Sequence, residues 1–143
     1  MSAFEVIPSA PRSELSPGYA EKLRDRLAEV LPGLSPADRW RHVRATLDFL
    51  TCCTVEGNTM LAPSSAVDVV WHEMIMFTAD YRAHCADLGV AFIDHEPTRP
   101  GMNTPTVRRT VEALRRNRLL SPETADLWVD DAPAKCCGGC VPL

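Results

Sequence analysis

The chain has 143 residues, of which 45% are hydrophobic and 24% are charged, a composition typical of one globular domain and not of a disordered chain. Its formal net charge is −4, whereas a protein dedicated to nucleic acids normally carries a basic excess. No apolar run is long enough to cross a membrane, and the first residues lack the basic and apolar regions of a signal peptide. We therefore expect a cytoplasmic protein without nucleic-acid or membrane partners.

Helix starts are marked along the chain by a serine followed by a proline. This pair places an N-cap residue before a proline at the first helical position, and apolar residues follow at spacings of three and four. The pairs are Ser16-Pro17, Ser35-Pro36 and Ser121-Pro122. Residues 1–15 are polar and broken by proline, which predicts an N-terminal arm.

The middle of the chain predicts three further helices. Pro63-Ser64 opens a helix with a broad apolar stripe, which predicts the most buried helix of the fold. A new N-cap at residues 78–80 predicts a break before the next helix, and residues 90–93 are compatible with a short strand or an extended link. The last of the three begins near Val107, and its outer face carries four arginines: Arg108, Arg109, Arg115 and Arg116.

These patterns predict an all-α fold, a compact bundle of five or six short helices over residues 16–131. A cysteine- and glycine-rich tail follows at residues 132–143, too short and too rich in glycine to form an element. The arginine face is interpreted as solvated, with an anionic or protein partner as the alternative.

The first candidate site is His72-Glu73 in the third helix. A zinc-protease helix needs a second histidine four residues after the first, but Met76 stands there. What remains is a histidine with Asp68 one turn earlier, a carboxylate able to orient the ring. The alternative is a buried histidine that is merely paired with this aspartate.

Two further candidates are His84, directly before Cys85, and His95, ten residues after Cys85. His84 and Cys85 point about 100° apart on a helix, so we expect Cys85 to face the core and His84 to face solvent. His95 precedes a proline, and we expect it in a loop.

The tail holds three cysteines within five residues: Cys136, Cys137 and Cys140. The spacing of the last two allows two thiolates to grip one soft ion, and Lys135 favours the thiolate form. Three thiolates suit zinc, copper(I) or an iron–sulfur cluster; the alternatives are an inert tail or thiol–disulfide exchange. Cys52-Cys53 are interpreted as core residues, as are four methionines for which copper ligation is the alternative: Met60, Met74, Met76 and Met102.

The central segment resembles the glycine-rich domain-containing-protein-like family, whose pattern is V-D-x-x-W-H, then a tyrosine and a cysteine, a glycine, and a final histidine-proline unit. Matching positions are Asp68, Trp71, His72, Tyr81, Cys85, Gly89, His95 and Pro97. The tail resembles a short version of the one that bacterial members carry. The resemblance implies that His72 and His95 act as a pair, and this chain departs from the pattern at Met74, where members commonly have a second histidine.

The leading hypothesis is a metal-binding protein whose ligands come from a set of histidines and cysteines: His72, Cys85, His95, Cys136, Cys137 and Cys140. Zinc is the expected ion, with copper or iron as alternatives. An enzyme would also need a base, for which Glu73 and Asp68 are candidates. The competing hypotheses are a protein-interaction module, docking through the tail or the arginine face, and a thiol-redox protein.

Overall fold

Five α-helices carry most of the described chain, which in this computed structural model comprises residues 12–57, 60–96, 105–129 and 139–142. They are α1 (Pro17–Val30), α2 (Pro36–Glu56), α3 (Ser65–Met76), α4 (Thr78–Asp87) and α5 (Val107–Arg116). One 3-10 turn (Ala125–Trp128) and two short strands, β1 (Ile93–Glu96) and β2 (Gly139–Pro142), complete the set. The predicted all-α class is confirmed.

Side-chain caps explain where the helices begin. Ser35 accepts a hydrogen bond from the backbone N–H of Asp38, Ser64 accepts from Val67, and Thr106 accepts from Arg109. Each cap satisfies one of the free N–H groups of a first helical turn. α1 begins after Ser16 and with Pro17 at its first position, as predicted, although the Ser16 side chain makes no capping hydrogen bond. The helix predicted after Ser121 is reduced to the 3-10 turn.

The helix α3 is the centre of the packing, as its apolar stripe predicts. It contacts α1, α2, α4 and the 3-10 turn. Trp71 is fully buried and meets the ring of Phe49 on α2 edge-on, with ring centroids 5.3 Å apart. The buried hydroxyl of Tyr19 on α1 donates to the backbone carbonyl of Met74 over 2.8 Å, which ties α1 to α3.

The predicted break between α3 and α4 is confirmed. Phe77, with φ −90° and ψ 68°, ends α3 and precedes α4. Beyond the far end of α4, Gly89 adopts a φ of +87°, a left-handed conformation that favours glycine. In the ranges that the structure describes, no helix combines the length and the apolar character needed to cross a membrane.

The two strands correct two predictions, one for the segment that contains His95 and one for the C-terminal tail. They pair antiparallel, with His95 opposite Cys140 and Ile93 opposite Pro142. The tail therefore contributes a strand, although its glycines argued against any element, because backbone pairing to a partner strand needs no side-chain propensity of its own. His95 lies in β1 and not in a loop.

Candidate functional site

The core of the candidate site is a histidine–carboxylate pair between β1 and α3. The His95 Nε2 atom lies 2.8 Å from the Asp68 Oδ1 atom, and the two side chains are 14% and 7% exposed. The sequence assigned Asp68 to His72, one turn away on the same helix. The structure gives this carboxylate to His95, which lies 27 residues further along the chain.

A chain of buried contacts fixes the strand that carries His95. The ring of Trp71 packs edge-on against His95, with centroids 4.5 Å apart. The Trp71 indole N–H donates to the Tyr81 hydroxyl over 2.9 Å, and this hydroxyl donates to the Ile93 carbonyl over 2.6 Å. Residues of α3, α4 and β1 are thus joined into one unit, and they are the aromatic and histidine positions of the motif described above.

Cys85 belongs to the same unit and is fully buried, as predicted. Burial raises the pKa of its thiol, and hydrogen bonds with the Ile93 backbone and the Tyr81 hydroxyl oppose that rise only in part. Burial likewise raises the pKa of the Tyr81 phenol. Both groups are therefore protonated at neutral pH, and Cys85 is held here as a thiol.

His72 lies beside this unit, at the surface. Its side chain is exposed, so the alternative of a buried, merely paired histidine is wrong. Its ring centroid lies 6.2 Å from that of His95. The pairing of His72 with His95, which the family resemblance implies, therefore matches their proximity in the structure.

The tail reaches the site through its backbone. In the β1–β2 ladder the partner of His95 is Cys140. The side chain of Cys140 is outside what the structure describes, and Cys136 and Cys137 lie outside the described residues altogether. Among the described side chains, no three histidines, cysteines, aspartates or glutamates are grouped so that they hold one ion.

The prediction that His84 faces solvent is wrong. It is only 4% exposed, and its Nε2 atom has no hydrogen-bond partner among the described groups. It lines a cavity of about 40 Å³ together with Ser16, Tyr19, Asp80 and Asp87. Burial lowers the pKa of its imidazole. Ser16 and Tyr19, at the start of α1, lie over His84. The local sequence around His84 does not indicate this contact between distant segments.

The remaining candidates divide between core and surface. Cys52, Cys53 and Met74 are buried, as predicted, but Met76 is 65% exposed and does not fill the core. The four arginines of α5 are exposed, as predicted, and Arg116 forms an ion pair with Glu56 at the end of α2.

A family model, UCP032817-like, matches residues 14–133, which cover α1 to α5 and β1. The chain belongs to the UCP032817-like family. No curated protein and no solved structure shows a significant match to it. This UCP032817-like match does not bear on the glycine-rich domain-containing-protein-like resemblance, which stays a prediction.

Proposed function

We propose that this protein binds a transition-metal ion between His72, His95 and the thiolates of the tail, with Cys140 as the first of them. The observation that carries the proposal is the strand register, which places the backbone of Cys140 directly opposite His95. Directly opposed residues of an antiparallel pair have Cα atoms about 4.5–5.5 Å apart. Cys140, a proposed ligand from the tail, and His95, a proposed ligand from the helical domain, are therefore neighbours in the ladder.

The contact with Asp68 supports a ligand role for His95. A carboxylate accepts a hydrogen bond from an imidazole N–H, so the 2.8 Å contact at Nε2 places the ring proton there. The lone pair of Nδ1 is then available to an ion, an arrangement typical of metal-bound histidines. Trp71, packed against the same ring, restricts its rotation.

The spacing of the two histidines suits one ion. With zinc–nitrogen bonds of 2.0–2.1 Å, two imidazoles on a tetrahedral ion have ring centres about 5 Å apart. The observed 6.2 Å between the centroids of His72 and His95 is close to this value, and His72 is exposed and therefore able to adjust. Two nitrogen and two sulfur donors would make zinc the expected ion, with copper or iron as alternatives.

We assign Cys85 to packing and not to ligation, because its side chain is fully buried in the hydrophobic core. The carboxylates considered as a general base are both engaged: Glu73 by Arg26 at 2.9 Å, and Asp68 by His95. We therefore propose binding, with no reaction attached. A bound ion would supply a cross-link between the tail and the helical domain.

The test is the metal content of the full chain, purified anaerobically without a metal-affinity tag and measured by mass spectrometry of the elements. His72→Ala and Cys140→Ser are the informative variants, because the first changes an exposed side chain and the second keeps the β2 backbone. The matched control is His42→Ala, since the His42 ring lies on α2, hydrogen-bonded to the Asp38 carbonyl over 2.7 Å, and belongs to neither α3 nor β1. Truncation after Ala134 is less informative because it also removes β2.

The expected result is near-stoichiometric metal in the unaltered chain and in His42→Ala, and its loss in the other two variants. Metal that survives both substitutions overturns the proposed ligands. Absence of metal from the unaltered chain overturns metal binding itself and favours the interaction or thiol-redox hypotheses. A reversible change in the thiol count of metal-free protein would then select the redox reading.

A further inference from the structure

A large apolar side chain lies exposed on α2, outside the candidate site. Trp40 of α2 is 45% exposed, whereas Trp71 and Trp128 are 0% and 6% exposed. It borders a groove of about 230 Å³ between α1 and α2. The groove contains the side chains of Leu27 and Val43, each 1% exposed, so its floor is apolar.

A second groove meets the first at Trp40. It has a volume of about 290 Å³, and Arg12 and Arg44 are among its lining residues. Arg12 is anchored there by an ion pair with the buried Asp48 at 2.7 Å. Arg12 is the first described residue, and one of the grooves that it lines shares Trp40 with the apolar groove.

The segment before Arg12 contains apolar side chains that suit the apolar groove. Residues 4–7 read Phe-Glu-Val-Ile, three apolar side chains around one carboxylate. Arg39 lines the apolar groove and donates from Nε to the Leu31 carbonyl over 3.0 Å. It forms no ion pair with a carboxylate in the part of the chain that the structure describes, so its charge complements Glu5.

The connection is long enough and restricted in conformation. An extended chain covers about 3.3 Å per residue, so residues 8–11 span roughly 13 Å, sufficient to pass an indole ring. Pro8 and Pro11 fix their φ angles and disfavour helix for the residues before them. Such restriction lowers the entropy lost on docking.

We propose that residues 4–7 of the same chain dock into the groove between α1 and α2 and cover Trp40. This intramolecular contact covers an apolar surface that is otherwise exposed to solvent. It is independent of the proposed metal site, whose ligands belong to α3, β1 and the tail.

Fluorine NMR of the full chain labelled with 5-fluorotryptophan tests the proposal. The three resonances are assigned with Trp40→Phe, and the solvent isotope shift between H₂O and D₂O reports the exposure of each indole. The test variant is Phe4→Ser/Ile7→Ser, and the matched control is Ser2→Ala/Ser9→Ala, which changes the same segment without removing apolar side chains. The buried Trp71 and Trp128 serve as internal reporters of the fold.

We expect a larger isotope shift at Trp40 in the test variant alone, unchanged by dilution, with Trp71 and Trp128 unaffected. An unchanged Trp40 resonance in the test variant overturns the proposal. An effect that disappears on dilution also overturns it, because it identifies a second copy of the chain as the occupant. A change at Trp40 in the control of the same size as in the test variant overturns the assignment to Phe4 and Ile7.

Discussion

Replacing Tyr81 with phenylalanine removes one hydroxyl from the buried unit that holds β1. This hydroxyl accepts from the Trp71 indole at 2.9 Å and donates to the Ile93 carbonyl at 2.6 Å. Phenylalanine fills the same space, so no cavity contributes. Two buried polar groups lose a partner, at about 1–3 kcal/mol each. Tyr81→Phe should therefore lower the free energy of unfolding by roughly 2–6 kcal/mol, a large part of the ~5–15 kcal/mol typical of a domain.

Urea unfolding followed by circular dichroism measures this loss as a lower midpoint at an unchanged slope. Tyr19→Phe is the matched control, since Tyr19 is 1% exposed and, within the described ranges, its hydroxyl makes one hydrogen bond, to the Met74 carbonyl. That carbonyl also accepts from the Phe77 N–H over 3.2 Å, so it keeps a partner and the control should lose only about 1 kcal/mol. If Tyr81→Phe costs no more than Tyr19→Phe, the hydroxyl does not hold the unit together.

Three further predictions concern stability. Gly89→Ala should destabilise by about 1 kcal/mol because of the φ of +87°. Gly18→Ala, in the first turn of α1, should stabilise by up to about 0.5 kcal/mol, less than in the middle of a helix. Thermal unfolding that shows the same sign for both variants contradicts this prediction. Burial lowers the pKa of the His84 imidazole in the folded protein below its ordinary value of 6.5. The unfolded chain therefore takes up a proton at this residue more readily, and the free energy of unfolding falls as the pH drops below 6.5. His84→Gln should reduce this loss in urea midpoints measured at pH 7 and below 6.5, and an unchanged difference would refute it. Asp48→Asn should cost about 3 kcal/mol in urea unfolding, because it removes the buried carboxylate that Arg12 and Arg44 share and leaves the poorly exposed Arg44 beside the exposed carboxylate of Glu14. Arg12→Ala should cost less, since the Arg12 side chain is 41% exposed, and equal losses would contradict the difference in burial.

The helices could be predicted from the sequence because their determinants are local. A serine or threonine cap, a proline at the first helical position and apolar residues at spacings of three and four all lie within a few turns. Ser35 and Ser64 behave accordingly. The burial of Cys85 followed from the same helical spacing.

The candidate site could be predicted only in part, because its contacts join distant segments. Helical spacing predicted that Asp68 pairs with His72. In the structure β1 lies beside α3, and the Asp68 carboxylate pairs with His95 instead. The pairing of Cys140 with His95 depends on the path of the intervening chain, which no local pattern encodes. His84 became buried for a similar reason, since its cover comes from Ser16 and Tyr19 near the start of α1.

The ladder between β1 and β2 closes a loop of about 40 residues that contains all of α5. Closing such a loop is unfavourable in entropy, so the ladder should form after the helices that are stabilised by near neighbours. A cross-link between His95 and Cys140 would remove this cost from the unfolded chain, and for a permanent link over this length the gain is about 4 kcal/mol. If the proposed ion forms this link, a chelator should lower the urea midpoint of the protein.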